Sequence, residues 1–192
     1  MLKSIAAFGE DFAHREIVGA LIRRVAKESK LPVEVKWRSA RRGHGKIVNE
    51  LREYFRDIKE EGASPDLIAV ATDANCKGLN DRAREIPTQL SPVTAVLAIP
   101  DPHVERWLLL DGAAFKEALG EGCRAPDQKC DRSRYKQELI HAVQRAGVNP
   151  NFGGIEFAND IIDAMDLSRA ATIDPSMKRF LDALRMAFRR ET

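Results

Sequence analysis

The 192-residue sequence predicts an α/β fold, a parallel-rich sheet of about four strands with flanking helices and a helical C-terminal extension. Three observations predict it. Short apolar or alternating runs at Ser4–Phe8, Val33–Trp37, Leu67–Ala71 and Val93–Ile99 are separated by segments with helical apolar spacing, the order expected when crossover helices join parallel strands. Leu67–Ala71 is unbroken apolar sequence bounded by Pro65 and a polar cluster, as in a strand covered on both faces. From about Asp111 the strand signal stops and only helical spacing continues. The division is therefore an α/β domain at 1–112 and a helical extension at 113–192 packed on it, with no repeat or low-complexity linker between them.

Each element has its own signal. After the first strand, Gly9-Glu10-Asp11 turns into a helix with Asp11 as N-cap and His14 near the third helical position. Ile17, Val18, Leu21, Ile22 and Val25 recur at helical spacing until Pro32 breaks the pattern. Val33–Trp37 alternates apolar and polar residues, which suits a half-buried edge strand. Ile47, Leu51, Tyr54, Phe55 and Ile58 mark a second amphipathic helix that Gly62 ends. The central strand follows, then a helix over Asn80–Ile86 stopped by Pro87, then the strand Val93–Ile99. Pro100–His103 reads as a turn and Val104–Leu110 as the next helix. Helices are expected over Ala113–Leu119, Arg132–Ala146, Ile155–Met165 and Ser176–Arg190, the last with Met177, Phe180, Leu181, Leu184 and Phe188 on a core-facing side.

Composition narrows the class. Charged residues make up 31% and hydrophobic ones 44%, and no apolar run approaches a membrane span, so a soluble protein without a membrane partner is expected. The N-terminal apolar stretch meets acids at once and reads as a first strand, not a signal peptide. Cys76, Cys123 and Cys130 are an odd count without repeated spacing, which predicts reduced thiols and a cytoplasmic location. The net charge of +2 does not announce a nucleic-acid binder, but Arg38, Arg41, Arg42, His44 and Lys46 crowd one short stretch.

Ligands of open α/β sheets bind beyond the carboxyl ends of the strands. Acids stand at three such ends: Glu10 and Asp11 after the first strand, Asp73 after the third, Asp101 and Glu105 after the fourth. With Asn75, these make the hard-oxygen environment that Mg²⁺ or Mn²⁺ prefers, so Glu10, Asp73, Asn75 and Asp101 are the expected metal ligands. The plainer alternative is that Asp11 and Asp101 only cap turns and helices.

Three motifs, Gly9-Glu10-Asp11, Thr72-Asp73-Ala74-Asn75 and Pro100 through Asp111 with Glu105-Arg106-Trp107-Leu108, together resemble the Toprim fold over roughly the first 112 residues. They are most similar to the small stand-alone Toprim-like proteins of bacterial defence loci, related to the RloB-like and overcoming-lysogenization-defect nucleases. The resemblance implies Mg²⁺-dependent cleavage of nucleic acid, with Glu10, Asp73 and Glu105 catalytic. Asn75 departs from the family's Asp-x-Asp pair, which removes one negative charge and leaves room for a module that binds without cutting. The resemblance also implies a partner ATPase; a homodimer remains a further possibility.

The loop Arg41–Ile47 partly resembles a phosphate-binding loop but lacks its first glycine and has Ile47 where Ser or Thr would hold Mg²⁺. Nucleotide hydrolysis there is rejected. Arg41, Arg42 and Lys46 remain expected contacts to a nucleic-acid backbone. The Cys-x6-Cys spacing of Cys123 and Cys130 fits no ordinary zinc motif. A third reading, hydrolysis of a small nucleotide, stays open.

Overall fold

A computed structural model describes residues 2–39, 44–62, 64–131 and 133–189. The expected phosphate contacts Arg41 and Arg42 lie outside the described residues.

Four parallel strands, β1 (Lys3–Gly9), β2 (Val33–Ser39), β3 (Leu67–Ala71) and β4 (Ala95–Ala98), form one sheet in the order β2-β1-β3-β4. The linking helices are α1 (Phe12–Glu28), α2 (His44–Glu61) and α3 (Leu79–Glu85). Strand periodicity divides the core between the two faces. Ile5, Ala7, Leu67, Ala69, Ala71, Val96 and Ala98 join α1, while Ala6, Phe8, Ile68 and Val70 join Ile47, Leu51, Phe55 and Ile58 of α2. Both faces of β1 and β3 are thus covered, and these are the two central strands. β2 is an edge, with Val33, Val35 and Trp37 against the α1 side.

The remaining helices are α4 (Glu105–Leu108), α5 (Gly112–Leu119), α6 (Arg134–Arg145), α7 (Ala158–Ala164), α8 (Leu167–Ile173) and α9 (Pro175–Arg189). They bury Leu139, Val143, Ile161, Ile162, Phe180, Leu181 and Leu184 in the same apolar cluster as α1 and β4. Trp107 of α4 stacks on Phe180 of α9 with ring centroids 5.9 Å apart, and its Nε1 donates to Ser176 Oγ. Among the described residues no helix is long and apolar enough to cross a membrane.

Local differences from expectation have local causes. The helix expected over 104–110 is a four-residue turn, because Asp111 begins a new helix by accepting from the N–H groups of Ala113 and Ala114. Helix α8 was not expected; Asp166 caps it by accepting from Arg169 N at 2.9 Å. The reduced-thiol expectation is overturned for two cysteines: Cys76 and Cys130 form a disulfide across 54 positions, and only Cys123 is free. Cysteine count says nothing about which two thiols a fold brings face to face, and the thiol argument for a cytoplasmic compartment goes with it.

Candidate functional site

The site lies beyond the carboxyl edge of the sheet. β1 ends in Gly9, against which Trp37 and His14 pack so closely that a Cβ there would sit 3.0 Å from Trp37 Cζ3. Pairing of β3 with the chain after β4 continues past the strands: Thr72 N donates to Ala98 O, Ala74 N to Pro100 O and Asn75 N to Pro102 O. This zipper fixes Asp73 between the turn that follows β1 and the one that follows β4.

Asp73 is the hub. Its Oδ1 accepts from His14 Nε2 at 3.1 Å and from Val104 N at 2.9 Å, and its Oδ2 accepts from His103 Nδ1 at 3.0 Å. Its backbone carbonyl accepts from Arg82 Nε at 2.9 Å. His14 is fully buried, and its other nitrogen donates to Asp11 at 2.8 Å. With a carboxylate on each ring nitrogen, both must carry protons, so His14 is an imidazolium. Burial opposes that charge, but the charge of Asp73 and the bonds to Asp11 and Asp73 outweigh it and hold its pKa well above the ordinary histidine value. For Asp73, burial pushes upward and is outweighed by His14 and His103, so its pKa is lowered.

Two further carboxylates feel Asp73. Burial raises the pKa of Glu10, and the charge of Asp73 adds to the rise while the Thr72 hydroxyl, which donates to Glu10, opposes it. Burial, then the charge of Asp73, raises that of Glu105. The Thr72 hydroxyl also lies 3.1 Å from His44 Nδ1, and His44 Nε2 is 3.2 Å from Glu85 Oε2, off the hydrogen-bond line. The N-terminus of α2 is thereby tied to the site.

Of the residues expected from sequence, Glu10, Asp73 and Glu105 come together. Asn75 adopts a left-handed backbone (φ 52°), which Asn tolerates better than most residues, and its amide Nδ2 is directed to Asp73 O at 3.4 Å. Asp101 offers its N–H to Ser176 Oγ, and its carboxylate makes no hydrogen bond or ion pair among the described residues. Lys46 is exposed on the first turn of α2, two positions beyond His44. No group of three or more His, Cys, Asp or Glu side chains converges as a metal cage among the described residues.

Sequence reasoning missed His14, His44, His103, Arg82 and Glu85 as members. The Asp-x-x-His spacing at Asp11–His14 was the one available signal, since an N-cap and the third helical position share a turn. Known proteins offer no guide here: no family model, no curated protein and no solved structure matches this chain.

Proposed function

We propose that the protein is a Mg²⁺- or Mn²⁺-dependent hydrolase of nucleic-acid phosphodiesters, a Toprim-like nuclease of a phage-defence setting. The observation that carries this reading is the nearness of Glu10 and Glu105 to Asp73, from three chain segments, with burial first and the charge of Asp73 after it raising the pKa of both glutamates. Partly buried carboxylates whose pKa a neighbouring charge also raises are the kind of group that functional sites perturb.

These carboxylates leave oxygens to offer a cation, without a ready cage among the described residues. Glu10 Oε2 makes no side-chain hydrogen bond among the described residues, the Glu105 carboxylate is engaged by its own backbone N–H alone, and Asp73 Oδ2 accepts only one. Mg²⁺ is commonly held by one or two carboxylates with waters and substrate phosphates, so a full protein cage is not required. When bound, the ion supplies charge neutralisation at the scissile phosphate and a more acidic water. Glu10 and Asp73 would hold it and Glu105 would complete the set. His14 and Val104 N orient the Asp73 carboxylate, Arg82 holds its backbone, and Thr72 orients Glu10. Lys46 steers the backbone of the strand, with Arg41 and Arg42 the further contacts expected from sequence.

Phe12, directly after Asp11, and Phe152 have ring centroids 5.6 Å apart and are 47% and 64% exposed. The Phe152 loop is preorganised, because Glu156 accepts from the N–H groups of Asn151, Phe152 and Gly154. Exposed paired rings, one of them two positions after Glu10, suit stacking of an unpaired base, so Phe152→Ala is expected to weaken single-strand binding about tenfold.

The test is cleavage of labelled single- and double-stranded DNA and RNA with Mg²⁺, Mn²⁺ or EDTA, comparing wild type with Glu10→Gln and Glu105→Gln. Metal-dependent cutting that falls at least about a hundredfold in both variants is the expected result. Absence of cutting by folded protein on every substrate with either metal overturns it. A partner ATPase and a homodimer belong to the same proposal, and co-purification and light scattering test them.

A further inference from the structure

Arg106 follows Glu105 in sequence but serves a different cavity. It lines a cleft of about 760 Å³ bounded by α4, α6 and the irregular segment 123–127. Clefts of roughly 300–1,000 Å³ are the size that small ligands use.

The lining is cationic. Arg106, Arg124, Arg134 and Arg145 face it against Asp127 and Glu138. Two of these arginines are fixed. Arg106 is buried in an ion pair with Asp174, and its Nε donates to Pro126 O at 3.3 Å. Arg134 pairs with Asp127 and donates to Glu138 at 2.7 Å. The other two keep capacity. Arg145 has only a loose approach of 3.9 Å to Glu121, and Arg124 makes no hydrogen bond or ion pair among the described residues. Leu109, Ala142 and Ile173 add an apolar wall.

The segment that carries Arg124 is held at both ends. A Cβ on Gly112 would overlap the carbonyl oxygen of Cys123, so only glycine permits that close approach. Farther on, the Tyr135 hydroxyl accepts from Lys129 N at 2.7 Å and lies 2.9 Å from Asp127 O, and Cys130 is bonded to Cys76. The cleft is thus preorganised, which lowers the cost of binding.

We propose that this cleft is an anion site that takes a phosphate group, gripped by Arg124 and Arg145 with the fixed arginines behind them, while the apolar wall accepts the body of the ligand. Guanidinium forks match phosphate geometry in two parallel bonds. The phosphate has two possible sources, a free nucleotide or a nucleic-acid strand. The inference stands apart from the hydrolytic reading, because it concerns other residues and requires no metal.

The experiment is fluorescence anisotropy in EDTA with a labelled single-stranded 12-mer, and competition by a nucleoside 5′-monophosphate or by the same nucleoside without phosphate. Wild type is compared with Arg124→Ala/Arg145→Ala, both exposed positions, with exposed Arg84→Ala as control. If the source is a strand, the double variant binds the 12-mer at least about tenfold more weakly and its salt dependence is shallower by one to two contacts. If the source is a free nucleotide, a fluorescently labelled nucleoside 5′-monophosphate binds wild type at least about tenfold more tightly than it binds the double variant, and the nucleoside without phosphate does not displace it. Equal affinities of wild type and double variant for both phosphorylated probes overturn the proposal. Because binding is read in EDTA, where no metal-dependent cutting occurs, this result is separate from any failure of catalysis.

Discussion

At the scale of single residues, the candidate site is built by placing charge where burial opposes it. Glu10 and Glu105 have folded-state pKa values above their ordinary value. Their ionised forms therefore cost stability above about pH 4.5, and removing the charge recovers it. Glu10→Gln and Glu105→Gln are each expected to raise Tm by about 1–3 °C at pH 7 in EDTA, read by thermal melting. In the Glu10→Gln variant the side-chain amide carbonyl can still accept from Thr72, so the gain comes with no lost hydrogen bond. A fall in Tm in both variants would place these carboxylates in structural, not functional, roles.

The same hub sets the pH range of stability. His14 is raised, so its contribution is fully present below about pH 6.5 and is lost as pH rises through its folded value. Asp73 is lowered, so its contribution is present above about pH 4 and is lost as pH falls through its folded value. Urea unfolding in EDTA across pH 3–10 is expected to show both limbs. Asp73→Asn is expected to reduce the acid limb, which Asp11 and Asp111 also feed, and to cost about 3 kcal/mol at neutral pH, because it leaves His14 buried without its main counter-charge.

At the scale of elements, the site depends on close approach at the end of β1. Gly9 lets the β1 terminus lie against Trp37 of β2 and His14 of α1. Gly9→Ala is expected to destabilise by about 1–3 kcal/mol in urea unfolding, since Trp37 is held by the sheet and cannot yield freely. Helix N-caps do similar work elsewhere. Asp11, Asp111 and Asp166 each start a helix, and Asp111 also accepts from Asp166 N at 3.0 Å, tying the start of α5 to the start of α8. Its pKa is lowered by the Asp166 and Ala114 N–H groups and by Arg169, which together outweigh burial.

At the scale of the whole molecule, the helices after residue 112 share one core with α1 and β4. A second long-range link is the Cys76–Cys130 disulfide, which joins the turn after Asp73 to the segment beside the cleft. A loop of that length constrains the unfolded chain enough that reduction is expected to cost about 2–4 kcal/mol, measured as a lower urea midpoint in dithiothreitol. Cys123 is a different case: burial pushes its thiol up to about 11, so in the oxidised native protein it is expected to react slowly with iodoacetamide at pH 8. Rapid labelling of three thiols without reductant would contradict both statements.

The legible part of this protein was everything that depends on periodicity and on near neighbours in sequence. Apolar runs and alternation placed all four strands, and helical spacing placed α1, α2, α6 and α9, because burial imposes a period on the chain whatever its partners. The placement of Glu10, Asp73 and Glu105 beyond one edge of the sheet was legible because parallel strands deliver their carboxyl ends there. Asp11 as a cap to His14 was legible because the bond spans three residues. Contacts between distant segments were decided by the tertiary structure. His103 reaches Asp73 across 30 positions, His44 reaches Thr72 across 28 and Cys130 reaches Cys76 across 54. Nothing periodic marks such pairs. Each exists because strand order and crossover direction carry two remote turns to the same point, and only there does burial decide which charges are paired.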